Sequence, residues 1–140
     1  MTAQLRRLVA QTIRDRVPGL RVFDYPTIPT TNVRPGREVV TVYRSTFTHQ
    51  GNGGMIDHAL TVTLYGAGTG TAEAEDQLDA ALDQVCVAIL ATGKAKLGTA
   101  ERVEYQGKFQ GWSIPLTVQT VDYLTAELRH HTTTPATPAD

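Results

Sequence analysis

The chain has 140 residues, with 13 Lys and Arg against 14 Asp and Glu and a formal net charge of −1. That length suits one domain with a core of its own, and near-neutrality excludes a global basic field that would recruit nucleic acid. The single cysteine, Cys86, excludes an internal disulfide framework and points to a reducing compartment. No apolar run reaches the ~20 residues needed to span a bilayer, and no signal-peptide core opens the chain, so a cytoplasmic site of synthesis and no membrane attachment are expected.

Charge is nevertheless unevenly placed. Residues 1–44 hold eight Arg and three acids, a net of +5. Residues 45–93 hold six acids and no Lys or Arg, a net of −6, and the remainder balances to zero. Ten Arg against three Lys, with abundant Ala, Thr, Val and Gly, suggests a GC-rich coding genome.

Residues 3–17 read as a first helix. Leu5, Val9 and Ile13 repeat at i+4 with Leu8 and Val17 beside them, while Arg6, Arg7 and Arg14 point away. Pro18-Gly19 ends it. Leu20–Tyr25 is a short strand, and residues 25–36, with three prolines, form an extended connector. Glu38–Ser45 and Ile56–Tyr65 are strands. In the second, His58, Leu60, Val62 and Leu64 alternate with Ala59, Thr61, Thr63 and Tyr65, giving one buried and one wetter face. Between them Thr46–Gly54 reads as the flexible, projecting tip of a long hairpin. It has four turn formers, Gly51, Asn52, Gly53 and Gly54, and no core-type residue beyond Phe47. A tip of that length points to assembly and not to stability, which makes Phe47, His49 and Gly51 to Gly54 candidate contact residues.

The linker GAGTGT (66–71) leads into a helix over residues 72–90, around which the other elements are organised. Leu78, Leu82, Val85 and Ile89 form one narrow apolar face with Ala74 and Ala81 flanking. Thr71 is its expected N-cap, Glu73, Glu75 and Asp76 complement the helix dipole, and Gly93 stands where a left-handed C-cap residue belongs. Its opposite face carries Asp76, Asp79 and Asp83 and no cation. Residues 100–105 and 111–122 form a second hairpin around the turn QGKFQG. Trp112, Ile114, Leu116 and Val118 share a face of the last strand, and Pro115 on the other face favours an edge position or a bulge.

The expected fold is α+β: a mainly antiparallel β-sheet over residues 20–25, 38–45, 56–65, 100–105 and 111–122, two helices packed against it, and a long projecting β-hairpin. Residues 1–128 form a single domain. Residues 129–140, with no apolar side chain larger than Ala, are expected to be a disordered tail.

Little in the chain suggests catalysis. Cys86 falls on the border of the packed stripe, with nothing cationic nearby to favour a thiolate, and reads as structural. Asp76, Asp79 and Asp83 share a helix face and could meet a divalent cation, but no histidine stands at fitting spacing, so a solvated or interface face is the better reading. His130-His131 are poor ligands in a tail, and His58, in phase with Leu60 and Val62, reads as a hydrogen-bonded core or boundary histidine. GAGTGT matches neither G-x-G-x-x-G nor the lysine-containing P-loop, and acids follow it directly. No serine–histidine–acid grouping can be assigned. The chain is expected not to be an enzyme, with no catalytic or metal-binding residues and no cofactor.

The order of elements, the segment FTHQGNGGMIDHALTVTLYG (47–66) leading into the acidic helix, and the closing strand WSIPLTV (112–118) resemble the tail terminator proteins of long-tailed, non-contractile bacteriophages and their prophages. The resemblance covers roughly residues 1–124. It implies a virion protein assembled in the host cytoplasm as a homo-oligomeric, hexameric ring. Such a ring caps the head-proximal end of the tail tube, ends tube polymerisation and joins the tail to the head connector. Its partners would be further copies of itself, the major tail tube protein and the head–tail connector or neck protein, with genomic DNA passing the lumen without specific binding. The family carries no catalytic residues. Two alternatives stay open: another neck protein (head-closure or tail-completion), and a cytoplasmic ligand-binding or regulatory α+β domain, which would need a concave apolar pocket. For a ring, Arg6, Arg7, Arg14 and Arg16 on the first helix and Asp76, Asp79 and Asp83 on the second offer opposite charges for a contact between unlike surfaces. Solvated faces, or acids that line a lumen, are the other readings of the same residues.

Overall fold

The alternation of apolar and polar residues after Gly54 builds the centre of the molecule, a strand with neighbours on both sides. The computed structural model describes residues 2–27, 37–50, 54–66, 70–105 and 109–133. Its elements run α1 (Thr2–Arg16), β1 (Arg21–Phe23), β2 (Val39–His49), β3 (Met55–Gly66), α2 (Ala72–Ala91), β4 (Ala95–Leu97), β5 (Glu101–Tyr105), β6 (Phe109–Val121) and α3 (Tyr123–Thr133). Six strands form one sheet in the order β1-β2-β3-β6-β4, with β5 also paired to β6. Among the described residues only β1 and β2 run parallel, and every other pairing is antiparallel. The fold is α+β.

The two expected helices cover one face of this sheet. Leu5, Val9 and Ile13 of α1 and Leu78, Val85 and Ile89 of α2 join Val42, Leu60, Val62, Leu64, Ile114 and Leu116 in a single buried cluster. Each such side chain contributes about 1.5–3 kcal/mol by leaving water. Leu82 is only half-buried, and Ala88 completes the α2 stripe instead. Both caps are where the sequence puts them: Thr71 Oγ1 accepts the Ala74 amide at 3.1 Å, and Gly93 follows the last turn at φ +72°.

Several expectations are corrected. Thr46–His49 is strand, not loop: Thr46, Phe47, Thr48 and His49 pair with Ala59, His58, Asp57 and Ile56. Their alternating β-branched and aromatic residues fit a pleated strand, and the turn formers begin only after Gln50. The β2–β3 pair is not a free projecting ribbon through Met55, because β6 accompanies β3 as far as Met55 opposite Val121. The back of the sheet is wet only in part. Val39, Thr41, Thr63 and Tyr65 are buried there, whereas Met55, Thr117, Gln119 and Val121 are exposed. The sheet has a sixth strand, β4, too short to show a period. A third helix, α3, includes residues 129–133 of the expected tail. Residues 28–36 of the connector, 51–53, 67–69, 106–108 and 134–140 lie outside the described residues.

Pro115 is neither on an outer strand nor at a bulge. In an extended strand the N–H and C=O of one residue point the same way. The Pro115 carbonyl accepts the Gly98 amide at 2.8 Å, so its missing donor faces the gap between β4 and β5, where no ladder bond is needed. The bulge lies instead at Ser45, where Arg44 opposes Leu60 and Thr46 opposes Ala59.

Gly111 sits opposite Tyr65, and a Cβ there would run into the carbonyl oxygen of Leu64 and approach Tyr65 Cδ1 to 3.1 Å. Because the obstacle is main chain, the β3–β6 ladder must move to admit a methyl group. Gly111→Ala is therefore expected to cost about 1–3 kcal/mol or more, read as a lower urea midpoint. An unchanged midpoint would show that the ladder yields freely at this point.

Candidate functional site

The basic surface is built by the solvent side of α1, which packs over β1 and β2. Its arginines are not equivalent. Arg14 is held inside the subunit, donating from Nη2 and Nε to the Val22 carbonyl at 2.9 and 3.3 Å. Arg6 is half-buried, and its Nε has no hydrogen-bond partner among the described residues. Arg7 is exposed with Asp24 at 3.7 Å, and Arg16 is exposed.

The acidic surface belongs to α2, which packs on β3 and β4 and beside α1. Helical geometry sorts its polar residues. Gln77, Ala80 and Gln84 line a shallow hollow against the end of α1. Asp76 and Asp83 crown the exposed face, and Glu75 and Asp79 lean toward β5. There Arg102 donates to both Glu75 oxygens at 2.6 and 2.9 Å, and its guanidinium lies 5.7 Å from the Trp112 ring. That hydrogen-bonded pair lowers the Glu75 pKa and raises that of Arg102, to which Asp79 also contributes. Burial, then the Asp83 charge, pushes the half-buried Cys86 thiol up, so it stays protonated and a poor nucleophile.

A third region lies at the far end of the sheet, where the hairpin tip residues were expected to act. Gly51, Asn52 and Gly53 lie outside the described residues, and Gly54 directly precedes β3. Phe47 is exposed and carries the Arg44 guanidinium 4.8 Å from its ring centre. His49 Nε2 lies 2.7 Å from Asp122 Oδ2. Asp122 caps α3 by accepting the Thr125 amide at 2.9 Å and the Thr125 hydroxyl. Those two bonds, with His49 adding to them, lower the Asp122 pKa from 3.8 to about 2. His58 is fully buried, its Nε2 is 3.0 Å from Thr120 Oγ1, and its ring stacks on Tyr123 at 5.9 Å. Its Nδ1 has no hydrogen-bond partner among the described residues. Burial and the Arg44 charge lower the His58 pKa against the opposing pull of Asp57.

Beside this end, between the start of α1 and β4, lies an open groove of about 1110 Å³. Leu5, Leu8, Met55, Val118 and Val121 make it apolar, and Lys94 and Lys96 stand on its rim. The sequence reading missed both the groove and α3. Leu8 and Met55 belong to elements far apart in the chain, and α3 has too short an apolar pattern, Leu124 and Leu128, to stand out. Its one legible signal is Asp122 three residues before Thr125, an N-cap spacing.

Among the described residues no three His, Cys, Asp or Glu side chains group closely enough to hold a metal ion, and no helix is long and apolar enough to cross a membrane. The chain matches no protein-family model and no curated protein. The described residues present a basic flank, an acidic flank and an apolar groove.

The Asp122 cap carries a definite pH signature. Its pKa is depressed in the folded state, so its contribution is present above the unfolded value of about 4 and is lost as pH falls through about 2. Asp122→Asn removes it. The gap in melting temperature between wild type and variant at neutral pH is expected to close between those two pH values. A gap that persists at pH 2 would mean that ionisation of Asp122 is irrelevant to the cap.

Proposed function

We propose that this chain is a non-enzymatic structural subunit that assembles head to tail into a ring, as the tail terminator of a long-tailed, non-contractile phage. The observation that supports this is the placement of charge. The exposed arginines lie on α1 over β1 and β2, whereas the acids lie on α2 toward β4 and β5. Opposite charges thus flank opposite edges of one sheet, so a second copy translated and rotated beside the first would meet its opposite. In this reading the hexameric ring ends tube growth at the head-proximal end of the tail. It contacts the tail tube protein on one side and the connector on the other, and its lumen passes DNA without binding it. Resident in the virion, it requires no cofactor. The groove favours a second reading, a ligand-binding domain, for which a monomer that takes a small apolar anion would be the sign.

Exposed ion pairs contribute at most ~1 kcal/mol each and are screened by salt, so several must act together. Because Arg14 is engaged within the subunit, Arg7 and Arg16 are the informative cations. Reversing Asp76, Asp79 and Asp83 to Lys is expected to abolish the ring in light scattering at low ionic strength. Adding Arg7→Glu and Arg16→Glu is expected to restore it. Wild-type mass in the acid-reversed variant, at both low and high salt, would remove the charged flanks from the contact.

A further inference from the structure

We infer that His58 is an acid-sensitive latch for α3: its neutral ring holds Tyr123 against the sheet, and protonation loosens the first turn of the helix. This goes beyond the ring reading and does not depend on it. His58 stands in the row Ile56, His58, Leu60, Val62 and Leu64, whose other members are aliphatic and, like it, fully buried. Its strand neighbours are Phe47 of β2 and Val118 of β6. Tyr123, the first residue of α3, lies over it, with the two rings 4° from parallel and 5.9 Å apart between centres. The imidazole has two nitrogens, and this site serves one of them. Nε2 is 3.0 Å from the Thr120 hydroxyl, whereas Nδ1 has no hydrogen-bond partner among the described residues. Burying a polar atom unpaired is costly, and burying a charge unpaired costs more.

The surroundings admit the neutral ring and oppose the charged one. Protonation makes both nitrogens donors, so Nδ1 becomes a buried N–H facing no acceptor, and stacking on Tyr123 does not supply one. From β2 the Arg44 guanidinium repels an imidazolium, and from β3 Asp57 attracts one more weakly. Asp57 is engaged elsewhere, accepting from the Gln50 and Gln119 side chains at 2.9 and 2.7 Å. On β6 the facing residues, Val118 and Thr120, are uncharged. On α3, Tyr123 follows Asp122, whose carboxylate is held by Thr125 and by His49 of β2. Burial, then Arg44, accordingly sets His58 below its ordinary 6.5. The latch's contribution is therefore present in full above about 6.5 and is lost as pH falls from there through the lowered folded value. Acid acts the other way at His49, because protonated His49 forms an ion pair with Asp122, which keeps its charge down to about pH 2. Asp122 stays as a pivot while Tyr123 lets go. Glu127, Leu128 and Arg129 make further contacts within the chain, so the change is a local opening of the first turn and not loss of the helix.

The test is an NMR titration of the full chain with labelled His and Tyr rings. The His58 signals are expected to turn over below pH 6.5. Over the same transition the cross-peaks between the His58 and Tyr123 rings are expected to fall at least about threefold, and the Tyr123 signals to move toward those of an exposed tyrosine. Asp122 does not titrate in that window. His58→Gln keeps a side chain able to reach Thr120 but carries no titratable group, so its Tyr123 signals are expected to stay constant between about pH 7.5 and 5. His49→Gln is expected to leave the wild-type transition in place. Where His58→Gln melts early, His58→Leu, which continues the aliphatic row, takes its place. Three results would each overturn the latch: a His58 that titrates at or above 6.5, ring cross-peaks that persist through its titration, or Tyr123 signals that move in the His58 variants as they do in wild type. None of them bears on the ring, which the charge-reversal variants test separately.

Discussion

The register of β3 against β6 is the constraint from which the other contacts follow. Partners run from Met55 opposite Val121 to Gly66 opposite Gln110 without a break. Side chains alternate with period two, so a slip of one residue would turn Leu60, Val62 and Leu64 out and bring Thr61 and Thr63 under the helices. Two features pin the register. Gly111 is the one residue type that fits against the Leu64 carbonyl, and His58, opposite Val118, reaches diagonally to the Thr120 hydroxyl in the ladder's far half. With β3 and β6 fixed, α1 and α2 have a single apolar surface on which to lie. Asp122 then emerges where it can cap α3 and reach His49.

Strand order converts a charge asymmetry along the chain into one across the molecule. The arginine-rich first third builds α1, β1 and the start of β2, which occupy one edge of the sheet. The acid-rich middle builds β3 and α2, and α2 leans toward the other edge, where Arg102 on β5 takes Glu75. That pairing uses the one acid nearest the sheet and leaves Asp76 and Asp83 facing outward. A similar division operates on α1, where Arg14 is spent on the Val22 carbonyl and Arg7 and Arg16 remain outside.

Long, strongly patterned elements were legible in the sequence because burial enforces their period. The α1 repeat of Leu5, Val9 and Ile13, the β3 alternation and both caps of α2 follow directly from residue spacing. The errors fall where burial is absent. Thr46–His49 is exposed strand, so its pairing depends on β3 and not on its own pattern, and nearby glycines drew it into the loop. The helix α3 was missed for the same reason: it buries no stripe of its own. Among the contact residues, the charged flanks were visible as sequence runs, but only the fold distinguishes Arg14 from Arg16. The groove is assembled from α1, β3, β4 and β6, and no local window contains it.

The sheet's edges bear on how copies of this chain can meet. Beyond Thr41, β2 has only β3 as a strand neighbour among the described residues, and an open edge of that length invites strand addition. The bulge at Ser45 interrupts it, with Ser45 Oγ donating to the Ala59 carbonyl at 3.0 Å and the Arg44 guanidinium lying over Phe47 next to it. The opposite edge is divided between two short strands, β4 and β5, separated at Pro115. Both edges are therefore poor templates for a continuous sheet between subunits, and backbone pairing would in any case permit open-ended growth. Contacts made by side chains on two unlike flanks fix both the distance and the angle between neighbours, which is what closure into a ring requires.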